Sequence, residues 1–195
     1  MSNNVDKFKT PWLYEFPPYY TIQLNQNTRT KQLDSWVQFV LSYCKHFKCF
    51  ELNPKHEPSS HFINLEYDNK IILFKNHTIN RNLSEEGIIL ILDELYIKGN
   101  FRWHDRHNKT KGGYVLWYSI EEWANVIYKW AMNKGLKNTV CTFYEMIEAP
   151  VNNFSAINEF WGMPKNLFLQ ILKQLEAQKK AEIIIQQDLE GVKFF

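Results

Sequence analysis

Ser84-Glu85-Glu86-Gly87-Ile88-Ile89-Leu90-Ile91-Leu92-Asp93-Glu94-Leu95-Tyr96-Ile97-Lys98-Gly99 is the stretch from which the fold can be read. Its apolar residues Ile88, Ile91, Leu92 and Leu95 recur with the period of one helix face. Ser84 supplies an N-cap, Glu85 and Glu86 sit at the positive end of the helix dipole, and Gly99 is placed to end the helix. Phe101 to Asp105 and Tyr114 to Tyr118 follow as two strands. Between them lies Arg106-His107-Asn108-Lys109-Thr110-Lys111-Gly112-Gly113, the long basic tip of a β-hairpin.

The same order returns 80 residues later. Phe168, Ile171, Leu172 and Leu175 repeat the face of Ile88, Ile91, Leu92 and Leu95. Pro164 stands in the first turn of that helix, and Ile183–Ile185 and Val192–Phe194 close a hairpin about Asp188-Leu189-Glu190-Gly191. Each half also has a leading helix. The first runs from Thr28 and carries Leu33, Trp36, Val37, Val40, Leu41 and Cys44 on one face. The second opens at the Ser119/Glu122 capping box, passes through Trp123, Ile127 and Trp130, and ends at Gly135. Thr142 and Glu145 form another such box before Pro150. Helices followed by a two-stranded wing are the order of a winged helix. The expected fold is therefore α+β and mainly helical: two tandem winged-helix domains, residues 25–118 and 119–195, behind an arm of residues 1–24. Lys70 to Lys75 is too short for its period to choose between strand and helix.

Composition narrows the class. Of 195 residues 45% are hydrophobic and 16% aromatic, with 7 Trp, 10 Tyr and 14 Phe, which suits small cores plus an interface needing anchors. A net charge of +2 is far from the basic excess of a dedicated DNA-binding protein. Three cysteines without a C-x-x-C make a poor disulfide or zinc framework and point to a reducing compartment. The first residues lack the apolar stretch of a signal peptide, and the longest aliphatic run, Ile88 to Leu92, is far short of the roughly 20 residues of a membrane span. The expectation is a cytoplasmic protein.

Pro11-Trp12-Leu13-Tyr14 and Phe16-Pro17-Pro18-Tyr19-Tyr20 dominate the arm. Proline favours an extended, polyproline-type conformation here. Such a segment cannot bury its aromatics on itself, so it lies across its own domain or on a partner. Pro17-Pro18-Tyr19-Tyr20 is also formally a P-P-x-Y, the motif read by WW domains.

Several runs together resemble the small-subunit family of the ESCRT-II complex. They are Trp12 through Thr21, Thr28-Arg29-Thr30-Lys31-Gln32-Leu33 with Trp36, and Leu92-Asp93-Glu94-Leu95 running into Lys98-Gly99-Asn100. Glu121-Glu122-Trp123, Ile127-Tyr128-Lys129-Trp130, Lys180 to Ile184 and Gly191 to Phe195 continue the likeness in collinear order. The resemblance implies two winged-helix domains with no enzymatic activity and no cofactor. It implies two copies in a Y-shaped complex with two larger subunits, recruited peripherally to endosomal membrane, sorting ubiquitinated cargo into multivesicular bodies. By the same resemblance, Trp12, Tyr14, Phe16, Pro17, Pro18, Tyr19 and Tyr20 dock on the larger subunits. Val140, Cys141, Thr142 and Phe143 in the second domain recruit the first ESCRT-III subunit. Two features depart from the family: Pro11-Trp12 stands where a double proline is usual, and residues 53–69 are longer. With the arm outside both cores, Tyr20→Ala is expected to weaken docking and leave stability unchanged.

No nucleophile elbow, zinc-protease, P-loop or dinucleotide-binding motif occurs, so no catalytic residue is assigned. His104-Asp105-Arg106-His107 reads as a solvated turn rather than a metal site. The rival to an adaptor is a nucleic-acid-binding winged helix. Residues 84–99 carry four carboxylates against Lys98, which phosphate would repel, whereas residues 164–180 carry four lysines against Glu176. One acidic and one basic helix do not make a tandem DNA reader.

Overall fold

The computed structural model describes residues 8–58, 71–148, 158–186 and 189–195. Its backbone divides into two compact units, Met1–Trp117 and Tyr118–Phe195. Most of the long polar segment at residues 53–69, together with Pro150 and Asp188, lies outside the described residues.

In the first unit, α1 (Gln26–Phe47) starts two residues before Thr28 because the Asn25 side chain accepts the Thr28 N–H at 3.1 Å. Trp36, Val37, Phe39, Val40, Tyr43, Cys44 and Phe47 are buried along it. Lys48 turns left-handed at its end, and Cys49 N–H bonds back to Cys44 O. After β1 (Glu51–Leu52), the stretch open to either reading resolves as a tight turn over Ile72–Lys75 leading into a short hairpin, β2 (Lys75–Asn76) and β3 (Arg81–Asn82). Helix α2 (Glu85–Ile97) starts as its sequence indicates, with Ser84 Oγ accepting from Gly87 N–H at 3.1 Å. Ile88, Ile91, Leu92 and Leu95 are buried, and Gly99 at φ 79° ends the helix. The wing follows as β4 (Phe101–Trp103) and β5 (Gly113–Val115), registered Phe101↔Val115 and Trp103↔Gly113. Both wing glycines are required: a Cβ on Gly112 would stand 2.2 Å from Leu52 O, and one on Gly113 would stand 2.1 Å from Arg102 O.

The second unit begins with α3 (Ile120–Asn133), whose capping box is complete. Glu122 N–H donates to Ser119 Oγ at 3.1 Å, and Ser119 N–H donates to Glu122 Oε2 at 2.8 Å. Trp123, Ala124, Ile127 and Ala131 face its core. Strand β6 (Val140–Thr142) leads into a helical turn at Tyr144–Glu148. Helix α4 (Lys165–Ala177) buries Phe168, Ile171, Leu172 and Leu175, and β7 (Ala181–Gln186) with β8 (Leu189–Phe194) closes the unit.

The internal repeat is topological as well as sequential. The three-stranded sheets run β1-β5-β4 and β6-β8-β7. In both, the first strand after the leading helix pairs with the last strand of the wing, which takes the centre. Each unit is thus a winged helix, its sheet packed beside an apolar helix face.

Candidate binding surfaces

The segment before α1 differs from the extended run expected of it. Trp12–Glu15 and Pro17–Tyr20 form two single 3-10 turns. Pro11 O accepts from Tyr14 N–H at 2.9 Å and Phe16 O from Tyr19 N–H at 2.9 Å. Proline bars the interior of a helix, but at the start of a turn its missing N–H would have had no partner and its φ already suits the turn. The turns sort the seven residues by side. Tyr14, Tyr19 and Tyr20 point inward and belong to the core of the first unit, while Trp12, Phe16, Pro17 and Pro18 face solvent.

The inward side is densely bonded. Tyr19 stacks on Trp36 with centroids 4.2 Å apart and planes within 4°, and Trp36 Nε1–H donates to Tyr19 O at 3.1 Å. Tyr20 OH donates to Tyr14 O at 2.9 Å, and Tyr14 OH donates to Lys75 O at 2.7 Å. Burial pushes the Tyr19 hydroxyl up to about 12 and the Tyr20 hydroxyl higher still. The expectation that the arm lies outside both cores is therefore corrected. Tyr20 is a core residue, and a WW domain cannot read it without stripping the arm from its domain.

The outward side is apolar. Trp12 is 75% exposed and Phe16 44%, with their rings 5.8 Å apart. Two large exposed aromatics beside two prolines, on turns held by buried tyrosines, form a fixed apolar knob of the kind that anchors an interface.

Of the four residues assigned to the second surface, only Val140 offers an open side chain. It is 42% exposed on β6, an edge strand, opposite Lys193 of β8. Phe143 is not a contact surface but core, packed edge-to-face on Phe168 at 5.6 Å. Thr142 is a cap: its N–H and Oγ1–H both donate to Glu145 Oε2 at 2.8 Å, and Glu145 N–H returns to Thr142 Oγ1 at 3.2 Å. Those bonds hold the Glu145 carboxyl below its ordinary range, so this cap is intact at neutral pH and is lost as pH falls through the lowered value. Cys141 is buried with Sγ 3.6 Å from the same carboxylate, and burial first, then that charge, raises its thiol to about 11. Strand alternation explains the division, since Val140 and Thr142 point to one side and Cys141 and Phe143 to the other. Sequence reasoning missed Tyr144, 55% exposed just after this strand, because periodicity says nothing about single residues in a turn.

Both lysines of the basic wing tip are ion-paired. Lys109 pairs with Asp93 at 2.6 Å, Lys111 with Asp105 at 3.0 Å, and Arg106 lies over the Tyr96 ring. Duplex DNA at physiological salt is expected to associate only weakly and with a steep salt dependence. A tight, sequence-selective complex would contradict this.

The family model for ESCRT-II complex subunits matches residues 13–164. The chain belongs to the ESCRT-II subunit family. It is 38% identical to the vacuolar protein-sorting-associated protein 25 of Xenopus laevis over 188 residues, covering 96% of this chain and 99% of the relative. Identity to the Homo sapiens protein of that name is 37%, over 96% and 98% of the two chains. A crystal structure of subunit VPS25 of the endosomal trafficking complex ESCRT-II matches at a TM-score of 0.73 and 28% identity, covering 95% of this chain and 98% of that one. A crystal structure of the endosomal complex ESCRT-II (VPS22/VPS25/VPS36) matches at a TM-score of 0.72, 28% identity, and the same coverage. The matching family model and structures are of subunits of a multi-subunit complex.

Proposed function

We propose that this chain is the small, non-enzymatic subunit of an ESCRT-II endosomal sorting complex. In this reading it docks on two larger subunits through its arm and first domain, residues 1–118, and recruits the first ESCRT-III subunit through its second domain, residues 119–195. The complex carries two copies and meets endosomal membrane only as a peripheral assembly, where it sorts ubiquitinated cargo into multivesicular bodies. The observation that carries the reading is the collinear likeness over 96% of the chain to relatives of that one name. The apolar knob of Trp12, Phe16, Pro17 and Pro18 supports the first contact.

The ESCRT-III contact narrows to the exposed side of β6. As an edge strand, β6 has one side without a partner strand, where Glu145 takes the Thr142 N–H, and Val140 adds apolar area beside it. Val140→Asp is expected to weaken binding of the N-terminal region of the ESCRT-III subunit by about tenfold or more, by setting a charge in a desolvated contact. Because Val140 is largely exposed, stability is expected to move by less than about 1 kcal/mol, and assembly with the larger subunits to stay unchanged. Titration of both binding reactions with the full chain tests this. Wild-type affinity of the variant for the ESCRT-III segment sinks the assignment.

A further inference from the structure

Among the described residues, aromatics and cysteines aside, only two polar side chains are buried, Gln32 and Asn76, and both reach the arm. Gln32 sits in the middle of α1, where its Nε2 donates to Tyr19 O and to Thr21 O, each at 2.9 Å, and its Oε1 accepts Gln23 N–H at 3.1 Å. Asn76 sits in β2, where its Nδ2 donates to Tyr14 O at 2.8 Å and its Oδ1 accepts Thr78 N–H at 2.9 Å. A buried amide is costly unless its groups are bonded. Helix α1 makes no use of the Gln32 amide for its own ladder, and the β2–β3 hairpin uses only the Asn76 Oδ1, at Thr78 in its turn, leaving the Asn76 Nδ2 to the arm. What the two share is the arm: Asn76 grips the turn that carries Trp12, and Gln32 grips the turn that carries Pro17 and Pro18, together with its exit toward α1.

We propose that Gln32 and Asn76 are positioning residues that keep the arm folded before any partner arrives. Trp12, Phe16, Pro17 and Pro18 are thereby presented as a preset surface rather than as a linear peptide that orders on binding. The proposal rests on the reading that this surface meets the larger subunits. Its physical content is the ordering cost of association. An arm already locked by bonds to its Tyr14, Tyr19 and Thr21 carbonyls loses little freedom on docking, whereas a free arm loses that of some ten residues.

Residue-resolved hydrogen exchange on the isolated full chain tests this first. The amides of Tyr14, Tyr19, Thr21 and Gln23 are expected to exchange within about tenfold of the interior of α1. Arm amides that exchange in seconds while α1 stays protected overturn the proposal, whatever any variant does. Asn76→Leu and Gln32→Met keep the length and heavy-atom outline of the side chain approximately and remove the bonds. In each, measured where it is fully folded, arm exchange is expected to rise by about a hundredfold relative to α1, and affinity for the larger subunits to fall by about tenfold. Variants that merely melt earlier, with arm and α1 exchanging together and affinity unchanged, overturn the positioning role. Faster arm exchange with unchanged affinity overturns it too. Unchanged affinity in a Trp12→Ala/Phe16→Ala double variant instead overturns the docking reading itself.

Discussion

Tyr20→Ala is expected to destabilise the first unit by about 3–5 kcal/mol, the range for truncating a large buried aromatic. The ring is buried between Tyr14, Tyr19 and Trp36, and its hydroxyl satisfies Tyr14 O, so truncation leaves both a cavity and a weakened arm. For a domain of this size the loss corresponds to a fall in melting temperature of more than about 10 °C. Calorimetry on the full chain reads it directly, as a lower melting temperature than that of the parent. An unchanged melting curve would put Tyr20 on the surface, against the packing described.

The complementary variant acts on affinity alone. Replacing Trp12 and Phe16 together by alanine removes the two large exposed rings of the arm, neither of which belongs to the core. Anchors of this type cost about 2 kcal/mol or more when truncated in a desolvated contact, which is roughly a thirtyfold loss of subunit affinity. Stability is expected to stay within about 0.5 kcal/mol of the parent, as for exposed positions generally. Isothermal titration against each larger subunit, with a melting curve of the same sample, separates the two quantities. Lost stability with retained affinity would reverse the roles assigned to the two sides of the arm.

The contrast between these variants marks how far the sequence could be read. The helices were legible because their signals are redundant. Ile88, Ile91, Leu92 and Leu95 set a face, Ser84 capped it, Gly99 stopped it, and the same grammar recurred at Ser119, Gly135 and Phe168. The arm was not legible in the same way. Proline chemistry excludes an α-helix, yet it leaves both the extended form and the single turn open, and only tertiary burial of Tyr14, Tyr19 and Tyr20 decides between them. One signal did point there. Gln32 lies four residues before Trp36, on the buried side of α1, where a polar amide needs partners from outside the helix. At β6 the missed step was simpler: alternation along Val140–Thr142 separates Val140 from Cys141, and Phe143 just beyond the strand is buried, so the four residues cannot all face one partner.

Membership of a hetero-oligomer is decided by the mass of the reconstituted mixture. The purified full chain, combined with the two larger ESCRT-II subunits, is expected to elute in one complex whose mass by light scattering corresponds to one copy of each larger subunit and two of this chain. Elution of the chain as a free species, with the larger subunits unchanged in mass, would show that it is not a subunit of that assembly.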